Sequence, residues 1–256
     1  MKFEIDIIAL FVKKYFFLII VLFREMRYTH LFFDLDHTLW DFERNSSESL
    51  TEIYHSSSLM EHGVTSMELF IQSFLRINTK LWDDFDRGTL HHTYIRENRF
   101  RMVFAELGLE CPSNHVEIGE CYLNILPTKK HLLEGAMDIL TYTESKGYKM
   151  HIVTNGFNEI QAKKIASSGI GRFFENVITF ENANAKKPDP GIFEFALKCA
   201  DASVDECIMI GDNWVADIMG AQQYGLDTVY YNPAGLKFDQ HPTYDIRRLE
   251  ELMLIL

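Results

Sequence analysis

A short apolar run, Leu31-Phe32-Phe33, leads directly into two aspartates, Asp34 and Asp36, and then into a threonine. Apolar runs of this length, bounded by polar residues, are typical of buried strands. The aspartates would then stand at the carboxyl end of a strand, where open parallel sheets bind their ligands. Two neighbouring carboxylates repel each other unless a cation or a shared proton compensates. The pair by itself also fits a turn aspartate beside a helix N-cap. The rest of the chain therefore decides between a functional site and this structural role.

The composition indicates a globular, acidic protein. The chain has 256 residues, of which 47% are hydrophobic and 24% charged, so we expect a packed core formed by one α/β domain with a smaller inserted one. The formal net charge of −12 argues against nucleic acid as a partner, because that affinity comes from lysine and arginine on phosphates. An anionic substrate would therefore need a local positive group or a metal ion.

Cysteine usage favours a reducing compartment. The four cysteines, Cys111, Cys121, Cys199 and Cys207, form no C-x-x-C pair, and no histidine cluster accompanies them at zinc-binding spacing. We therefore expect reduced, mostly buried thiols in a cytoplasmic protein.

The N-terminal stretch of residues 5–23 is apolar except for Asp6, Lys13 and Lys14. Its uninterrupted part, residues 15–23, is shorter than the about 20 residues that a membrane span requires. It resembles the apolar region of a signal peptide, but no small-residue cleavage site follows it. We expect Met26 to be the natural start and residues 1–25 to be an extension outside the fold, with a membrane anchor as the less favoured alternative.

The chain divides into a helical block and a block in which strands and helices alternate. Helical spacing dominates residues 47–127, where Leu69, Phe70, Phe74, Ile77 and Leu81 recur near the helical period. Beyond residue 131 we predict strands at 149–154, 176–180, 207–210 and 228–231, separated by helices at 132–145, 157–168 and 216–224 and followed by a terminal helix at 249–256. A further helix opens at Pro190 with Asp189 as its N-cap. This alternation predicts right-handed βαβ units and a parallel sheet, with residues 43–127 inserted after the first strand.

Polar residues follow four of these strands at the same end. Because parallel strands bring their carboxyl ends to one edge of the sheet, we expect these residues to converge. They are Asp34 and Asp36 after the first strand, Thr154, Asn155 and Gly156 after the second, Lys187 after the third, and Gly211, Asp212 and Asp217 after the fourth.

This set of residue types suits phosphoryl transfer. A carboxylate at Asp34 can act as a nucleophile and form an aspartyl-phosphate. Asp36 can serve as a general acid and then as a general base. Asp34, Asp212 and a backbone carbonyl, for which Asp36 is the candidate, offer the hard oxygen ligands that Mg²⁺ prefers. Asp217 can orient a metal-bound water or Lys187.

The remaining residues of the set suit phosphate binding. The Thr154 hydroxyl, the Asn155 side chain and the backbone N–H groups from Gly156 onward can hold phosphate oxygens at a helix N-terminus. Lys187 would add a fixed positive charge against the phosphate and the nucleophile. Neither a Walker-type G-x-x-x-x-G-K-[ST] motif nor a G-x-S-x-G elbow is present.

These four motifs resemble those of the haloacid dehalogenase-like superfamily over residues 27–256. The resemblance implies a Rossmann-like parallel sheet with the first strand at its centre, Asp34 as nucleophile, Asp36 as acid/base and Mg²⁺ as cofactor. It also implies that residues 43–127 form a helical cap inserted into a core formed by residues 26–42 and 128–256.

Within that superfamily, the chain is similar to the noncanonical pyrimidine nucleotidases, which are 5′-nucleotidases for nucleoside monophosphates. The residues that carry this similarity are Leu39-Trp40-Asp41-Phe42, Asn78-Thr79-Lys80-Leu81-Trp82, Gly88 and Arg99-Phe100. Two positions depart from related sequences: Asn184 stands where glycine is usual, and Phe180 stands where serine is common. Because asparagine tolerates left-handed backbone, we expect the loop at Asn184 to be kept.

The resemblance favours a pyrimidine 5′-nucleotidase acting on a small phosphate monoester, with Asn78, Trp82 and Arg99 as candidate substrate contacts in the cap. Trp40, Phe42 and Trp82 would either stack on a base or pack the cap. A phosphatase of phosphoglycolate or sugar phosphates is an alternative, as is a phosphomutase. A dehalogenase is less favoured, because it needs neither the acid at Asp36 nor Thr38. A non-catalytic phosphate-binding module is also less favoured, because every catalytic position is filled.

Overall fold

The computed structural model describes residues 27–256, so the expected start at Met26 and the extension of residues 1–25 lie outside the described residues. A six-stranded sheet with the order β3-β2-β1-β4-β5-β6 forms its centre, and every neighbouring pair of strands is parallel. The strands are β1 (His30–Phe33), β2 (Lys149–Thr154), β3 (Phe174–Thr179), β4 (Cys207–Gly211), β5 (Asp227–Tyr231) and β6 (Tyr244–Ile246). The Rossmann-like core with its first strand at the centre is confirmed.

Helices connect these strands. The first four follow β1 directly: α1 (Phe42–Ser56), α2 (Met67–Asp86), α3 (His92–Glu106) and α4 (His115–Ile125). The others are α5 (Ala136–Lys146), α6 (Asn158–Ser167), the short α7 (Phe180–Ala183), α8 (Pro190–Ala200) and α9 (Gly220–Tyr224). We call α1 to α4 the cap. Its placement after the first strand agrees with the sequence, while the bounds 43–127 stay a prediction.

The sheet is buried on both faces, as a parallel sheet covered by helices should be. Successive side chains of a strand point to opposite faces, so Phe33 packs in one apolar core and Phe32 in the other. The Phe33 core continues into the cap through Phe70 and Phe100. Leu69, which the helical spacing placed beside Phe70, is instead 54% exposed, because the apolar face of α2 turns away from it.

The register brings the strand ends to one level. Phe33 of β1 lies opposite Ile152 of β2 and Ile210 of β4. The residues that follow these three positions therefore emerge at the same edge of the sheet, beneath the cap.

Several local features differ from the sequence expectations. The strand β6 was missed, because three residues at a sheet edge carry no measurable period. The segment after β4 begins at Trp214 and runs to Met219 with wide, π-type turns before α9 continues it. Helix α5 starts at Ala136, since the preceding Gly135 has a φ of +79°. The terminal helix is a 3₁₀ helix, Leu249–Leu254.

Other local expectations are confirmed. Asp189 caps α8 by accepting a hydrogen bond from the Gly191 N–H, with Pro190 at the first helical position. Asn184 adopts the left-handed conformation with a φ of +50°. None of the helices in residues 27–256 is long and apolar enough to cross a membrane.

All four cysteines are unpaired, in agreement with the predicted reduced thiols. The expectation that they are mostly buried is wrong, because Cys121 and Cys199 are exposed and only Cys207 is fully buried.

Candidate active site

The strand β1 delivers Asp34 to the edge of the sheet below the cap. The Asp34 N–H donates to the carbonyl of Ile210, which extends the ladder by one residue beyond β1. The Asp34 carboxylate accepts a hydrogen bond of 2.6 Å from Lys187 Nζ at its Oδ1 atom. Its Oδ2 atom accepts no hydrogen bond from the residues that the structure describes, so it is available to a ligand.

Lys187 is the only cation buried against this carboxylate in the described chain. Its side chain is 2% exposed, and its Nζ lies 2.6 Å from Asp34 and 2.7 Å from Asp217. It also donates to the carbonyl of Val153 at 2.7 Å. Burial alone would lower the pKa of Lys187, but the two carboxylates raise it above its ordinary value. The lysine is therefore a fixed positive charge.

Three carboxylates, those of Asp34, Asp212 and Asp217, form an acidic cluster with one oxygen of each within 4.8 Å of the others. Burial raises the pKa of Asp34 to about 7, with Lys187 opposing the shift. Burial and the charges of Asp34 and Asp217 raise the pKa of Asp212 well above its ordinary value. One lysine does not neutralise three carboxylates, and the donors are all hard oxygens, so the cluster fits a divalent cation such as Mg²⁺.

The backbone around the cluster is built for close approach. A Cβ atom at Gly211 would lie 2.2 Å from Asp217 Oδ2, so only glycine lets this carboxylate pass under the end of β4. The Asn213 N–H donates to the same Oδ2 at 3.0 Å. The Thr38 hydroxyl donates to Asp212 Oδ1 at 3.0 Å, which ties the loop after β1 to the loop after β4.

The loop after β2 offers hydrogen-bond donors. Thr154 Oγ1 accepts from the Gly156 N–H at 3.2 Å and from Gln161 Nε2 at 2.8 Å. Because both of these contacts use the oxygen as acceptor, the hydroxyl hydrogen of Thr154 is left for a ligand. Helix α6 begins two residues after Gly156, and its first N–H group, that of Asn158, donates to Glu181 Oε2.

The side chain of Asn155 is occupied by protein contacts. It accepts from the Lys187 N–H at 2.8 Å and donates to the Lys187 carbonyl at 2.9 Å. Its second amide hydrogen goes to Asp86 Oδ1 at 2.8 Å. The side chain that was predicted to bind phosphate thus holds the backbone of Lys187 in place.

Asp36 turns away from the acidic cluster. Its carboxylate accepts from Lys164 Nζ at 2.7 and 2.8 Å and from Gln161 Nε2 at 2.9 Å. Burial opposes the charged form, but the Lys164 ammonium group and then the Gln161 amide hold the pKa of Asp36 below its ordinary value. The side chain is 25% exposed, and Asp36 lines the cavity between core and cap.

Sequence reasoning missed Gln161 and Lys164. They stand three residues apart on α6, so they share one helix face, and both are buried. A glutamine and a lysine on the face that a helix turns toward the sheet were the available signal, because such residues are rarely buried without a partner.

Asp86, at the end of α2, was also missed. Its carboxylate bridges Asn155 and Asn213, the latter at 3.2 Å, and burial raises the pKa of Asp86 to about 6. The Lys186 ammonium group donates to the Phe85 carbonyl and, at 2.7 Å, to the Asp86 carbonyl. The cap helix therefore ends inside the site, held by the residue next to Lys187.

A cavity of about 950 Å³ extends from the acidic cluster into the cap. The predicted cap residues Asn78, Trp82 and Arg99 all line it. Arg99 is 4% exposed, donates to Asn78 Oδ1 at 2.9 Å, and lies over the ring of Tyr122. The Asn78 amide nitrogen and the rest of the guanidinium group are among the polar donors of the cap that line the cavity, together with Thr79 and Arg96.

The aromatic candidates divide between lining and packing. Phe42 and Trp82 line the cavity, whereas Trp40 is fully buried and packs beneath it. Phe180 contacts two rings of the cap, Phe85 and His92, and the ring of Phe157 in the core. Four cavity-lining aromatics of the core were not predicted: Phe157, Trp214, Tyr230 and Phe238.

Comparison with known proteins agrees with this geometry. The sequence profile of the haloacid dehalogenase-like hydrolases matches residues 28–225. Pyrimidine 5′-nucleotidase PynA from Streptococcus pneumoniae is 31% identical over 231 residues, which cover 89% of this chain and 94% of that protein. Pyrimidine 5′-nucleotidase YjjG from Escherichia coli is 27% identical, over 90% of this chain and 99% of its own length.

A solved structure is similar as well. The HAD-hydrolase YfnB from Bacillus subtilis, in a crystal form bound to magnesium, aligns with a TM-score of 0.79 and 29% identity. The alignment covers 90% of this chain and 98% of that chain. The family resemblance read from the four motifs is thereby confirmed, and the protein is an enzyme of the haloacid dehalogenase-like hydrolase family.

Proposed function

We propose that the protein is a Mg²⁺-dependent phosphomonoesterase that acts through an aspartyl-phosphate, with pyrimidine nucleoside monophosphates as its substrates. The observation that carries this proposal is the position of the Asp34 carboxylate. It stands at the end of the central strand and has two further carboxylates beside it. Its Oδ1 atom is bonded to Lys187, and its Oδ2 atom accepts no hydrogen bond from residues 27–256.

The first half of the reaction uses two carboxyl groups. Asp34 attacks phosphorus and forms an acyl phosphate, while the ester bond to the leaving oxygen breaks. Asp36 donates a proton to that oxygen, a step that requires its carboxyl group to be protonated and released from the Lys164 ammonium group that favours its ionised form. The Thr154 hydroxyl and N–H groups of the first turn of α6, other than that of Asn158, bind phosphate oxygens, and Lys187 balances their charge.

The second half hydrolyses the aspartyl-phosphate. Asp36, now ionised, removes a proton from a water molecule as that water attacks phosphorus. The bond between phosphorus and Asp34 breaks, which restores the carboxylate and releases inorganic phosphate. Asp36 is protonated again and is ready for the next substrate.

Asp34 and Asp212 are the residues that would hold Mg²⁺, together with the backbone carbonyl of Asp36. Asp217, which belongs to the same acidic cluster, would orient Lys187 or a water of the ion. The ion would supply positive charge against the phosphate oxygens and keep Asp34 ionised.

The cap end of the cavity supports a pyrimidine substrate. Asn78 and Arg99 present donors there, and the carbonyl oxygens of uracil and thymine are acceptors. Trp82 offers an aromatic face on the same wall. Two of the relatives are named as pyrimidine 5′-nucleotidases, which supports the same choice. Unpaired, partly exposed thiols support a cytoplasmic location.

The test is phosphate release from dUMP, dTMP, UMP, AMP, phosphoglycolate and glucose phosphates, each with Mg²⁺ and with EDTA. We expect the pyrimidine nucleotides to be preferred and all activity to disappear in EDTA. Preference for phosphoglycolate or sugar phosphates would keep the mechanism and reject the nucleotidase. Phosphate release that persists in EDTA would reject the proposed metal dependence. The absence of release from every ester would reject the proposed phosphatase activity.

The cap assignment has its own test. Asn78→Ala should raise KM for a pyrimidine nucleotide about tenfold, the effect of one hydrogen bond to substrate, with little change for a sugar phosphate. Trp82→Ala should also raise KM for the pyrimidine nucleotide, because the stacking of the base on the indole ring is lost. Unchanged specificity in both variants would reject these two residues as substrate contacts.

A further inference from the structure

We propose that Trp214, Tyr230 and Phe238, which we call the core wall, bind the ring of the leaving group and so determine specificity for esters that carry a flat ring. The inference rests on the proposed function and deepens it, because the ring in question is the base of the nucleotide. All three residues line the cavity of about 950 Å³ that is also lined by Asp34 and Asp212.

The rings of the core wall pack against one another. The rings of Trp214 and Phe238 are parallel, with an angle of 2° between their planes and 4.1 Å between their centres. The Tyr230 ring meets both of them edge-on, with its centre 5.3 Å from that of Trp214 and 5.9 Å from that of Phe238. Because these side chains are already ordered by their mutual contacts, a ligand that stacks on them has little further ordering to impose.

The loop after β5, which carries Phe238, is held by the side chain of Asn232. This side chain accepts a hydrogen bond of 2.8 Å from the Leu236 N–H and donates one of 3.0 Å to the Leu236 carbonyl. Its amide nitrogen also lies 3.2 Å from both carboxylate oxygens of Asp245. Asn232 is itself buried, so its contacts fix the loop and the core wall is preformed.

The core wall suits a heterocycle better than a sugar or an alkyl chain. Tyr230 is 3% exposed, and its hydroxyl forms no hydrogen bond with residues 27–256, although a buried tyrosine hydroxyl usually has a partner. A ligand that fits here therefore offers a flat apolar face to the rings and a polar edge to the hydroxyl. A nucleobase has both features.

The core wall and the cap divide the recognition of the base. Trp214 follows Asp212 by two residues, so the wall is part of the same segment as the acidic cluster, whereas Asn78 belongs to the cap. Hydrogen bonds from the cap distinguish pyrimidines, but stacking accepts any base, because every base has a π-face. Stacking far from the reacting atoms stabilises bound substrate and transition state equally, so its loss raises KM and leaves kcat nearly unchanged.

The experiment measures KM and kcat for UMP and for ribose 5-phosphate, which is the same ester without the base. We expect Trp214→Ala to raise KM for UMP about 5- to 100-fold, the range for one base stacked on an aromatic side chain. KM for ribose 5-phosphate should stay unchanged. Trp214→Phe should recover most of the loss, and Phe238→Leu should raise KM for UMP as Trp214→Ala does. Val215→Ala is the matched control, because Val215 is the next residue, is 39% exposed and does not line the cavity.

A binding measurement makes the test independent of turnover. Calorimetric titration with uridine should give a higher Kd for Trp214→Ala than for Val215→Ala, and equal values would overturn the inference. Equal rises of KM for UMP and ribose 5-phosphate, or no rise for UMP in Trp214→Ala and Phe238→Leu, would also overturn it while the proposed function stands. Thermal melts of each variant separate these results from unfolding.

Failure of the proposed function gives a different result. A wild-type preference for phosphoglycolate or sugar phosphates would reject the pyrimidine nucleotidase. In that case p-nitrophenyl phosphate, whose leaving group is also a flat ring, replaces UMP in the comparison with ribose 5-phosphate. A selective rise of KM for the nitrophenyl ester in Trp214→Ala would support the core wall, and its absence would overturn it.

Discussion

The carboxylate of Asp86 accepts a hydrogen bond of 2.8 Å from the side chain of Asn155 and so joins the cap to the core beside Lys187. The same Asn155 amide nitrogen holds the Lys187 carbonyl at 2.9 Å. A cap residue and the proposed catalytic lysine thus share one amide group, so a residue of the cap takes part in the arrangement around the lysine.

Replacing Asp86 should therefore weaken catalysis. Asp86→Ala removes the acceptor for both Asn155 and Asn213, and we expect kcat/KM to fall about 10- to 100-fold, the range for a hydrogen bond to a charged group. Asp86→Asn keeps one acceptor oxygen and should lose less. Steady-state kinetics with the preferred nucleotide measure both, with Asp84→Ala, two residues earlier on α2, as the control. Full activity in Asp86→Ala would show that the bridge is dispensable.

The nucleophile gives the most severe prediction. Asp34→Asn keeps the shape of the side chain but removes the attacking oxygen, so activity should fall at least about 10³-fold. Mass spectrometry of acid-quenched reactions should detect a phosphorylated wild-type protein and an unmodified variant. Asp41→Asn, at the N-cap of α1 where asparagine caps equally well, is the control. A phosphorylated Asp34→Asn protein would contradict the assignment.

Metal binding should be visible as stabilisation. An ion that binds only the folded protein raises its stability, by about 2.7 kcal/mol at a concentration of 100 times Kd. We expect the melting temperature to rise with added Mg²⁺ in the wild type and to stay constant in Asp212→Asn. In EDTA the variant should melt above the wild type, because one of three crowded carboxylates is gone. An equal Mg²⁺ shift in both proteins would place the ion elsewhere.

The ion pair between Asp36 and Lys164 predicts a coupling in stability. Asp36→Asn leaves the Lys164 ammonium group, whose side chain is 4% exposed, without a counterion, which should cost about 3 to 5 kcal/mol. Adding Lys164→Met should restore most of that loss, because the uncompensated charge is removed. Urea unfolding in EDTA measures both free energies of unfolding. A double variant as unstable as the sum of the two single variants would refute the coupling.

Two buried histidines at the other end of the sheet predict a dependence of stability on pH. The Asn176 amide nitrogen donates to His151 Nδ1 and to the Cys199 carbonyl, so the ring proton of His151 lies on Nε2, which donates to His30 Nδ1 at 3.0 Å. A second proton on the His151 ring would lie on Nδ1 and would face the N–H group of Asn176, so two donors would oppose each other. Burial, with the charge of His30, lowers the pKa of His151 to about 4.

The sign follows from which state binds the proton. Between about pH 6.5 and pH 4 the unfolded chain protonates His151 and the folded protein does not, so stability present above about pH 6.5 is lost as the pH falls. The full contribution is on the order of 3 kcal/mol. Between about pH 7.5 and pH 5, the free energy of unfolding should fall about 2 kcal/mol more in the wild type than in His151→Gln. His62→Gln, at an exposed histidine, should follow the wild type; a parallel decline in all three proteins would refute the prediction.

The fold was predictable because its signals are local. Apolar runs ending in polar residues identified β1, β2 and β4, and alternation with helices implied a parallel sheet. The strand β6 and the π-type turns from Trp214 to Met219 were not predicted, because an edge strand of three residues and a change of helical winding leave no periodic pattern in the sequence.

The sequence by itself determined that Asp34, Thr154, Lys187 and Asp212 would meet, because each stands at the carboxyl end of a strand or in the connection that leaves it, and parallel strands end at one edge. Only the tertiary structure decided which partner each side chain takes. In the tertiary structure Asp36 contacts Lys164, which is 128 residues away in sequence, and Asp86 contacts Asn155, which is 69 residues away. Periodicity reports the local backbone, whereas these pairings depend on how α6 and the end of α2 pack over the sheet, which no spacing encodes.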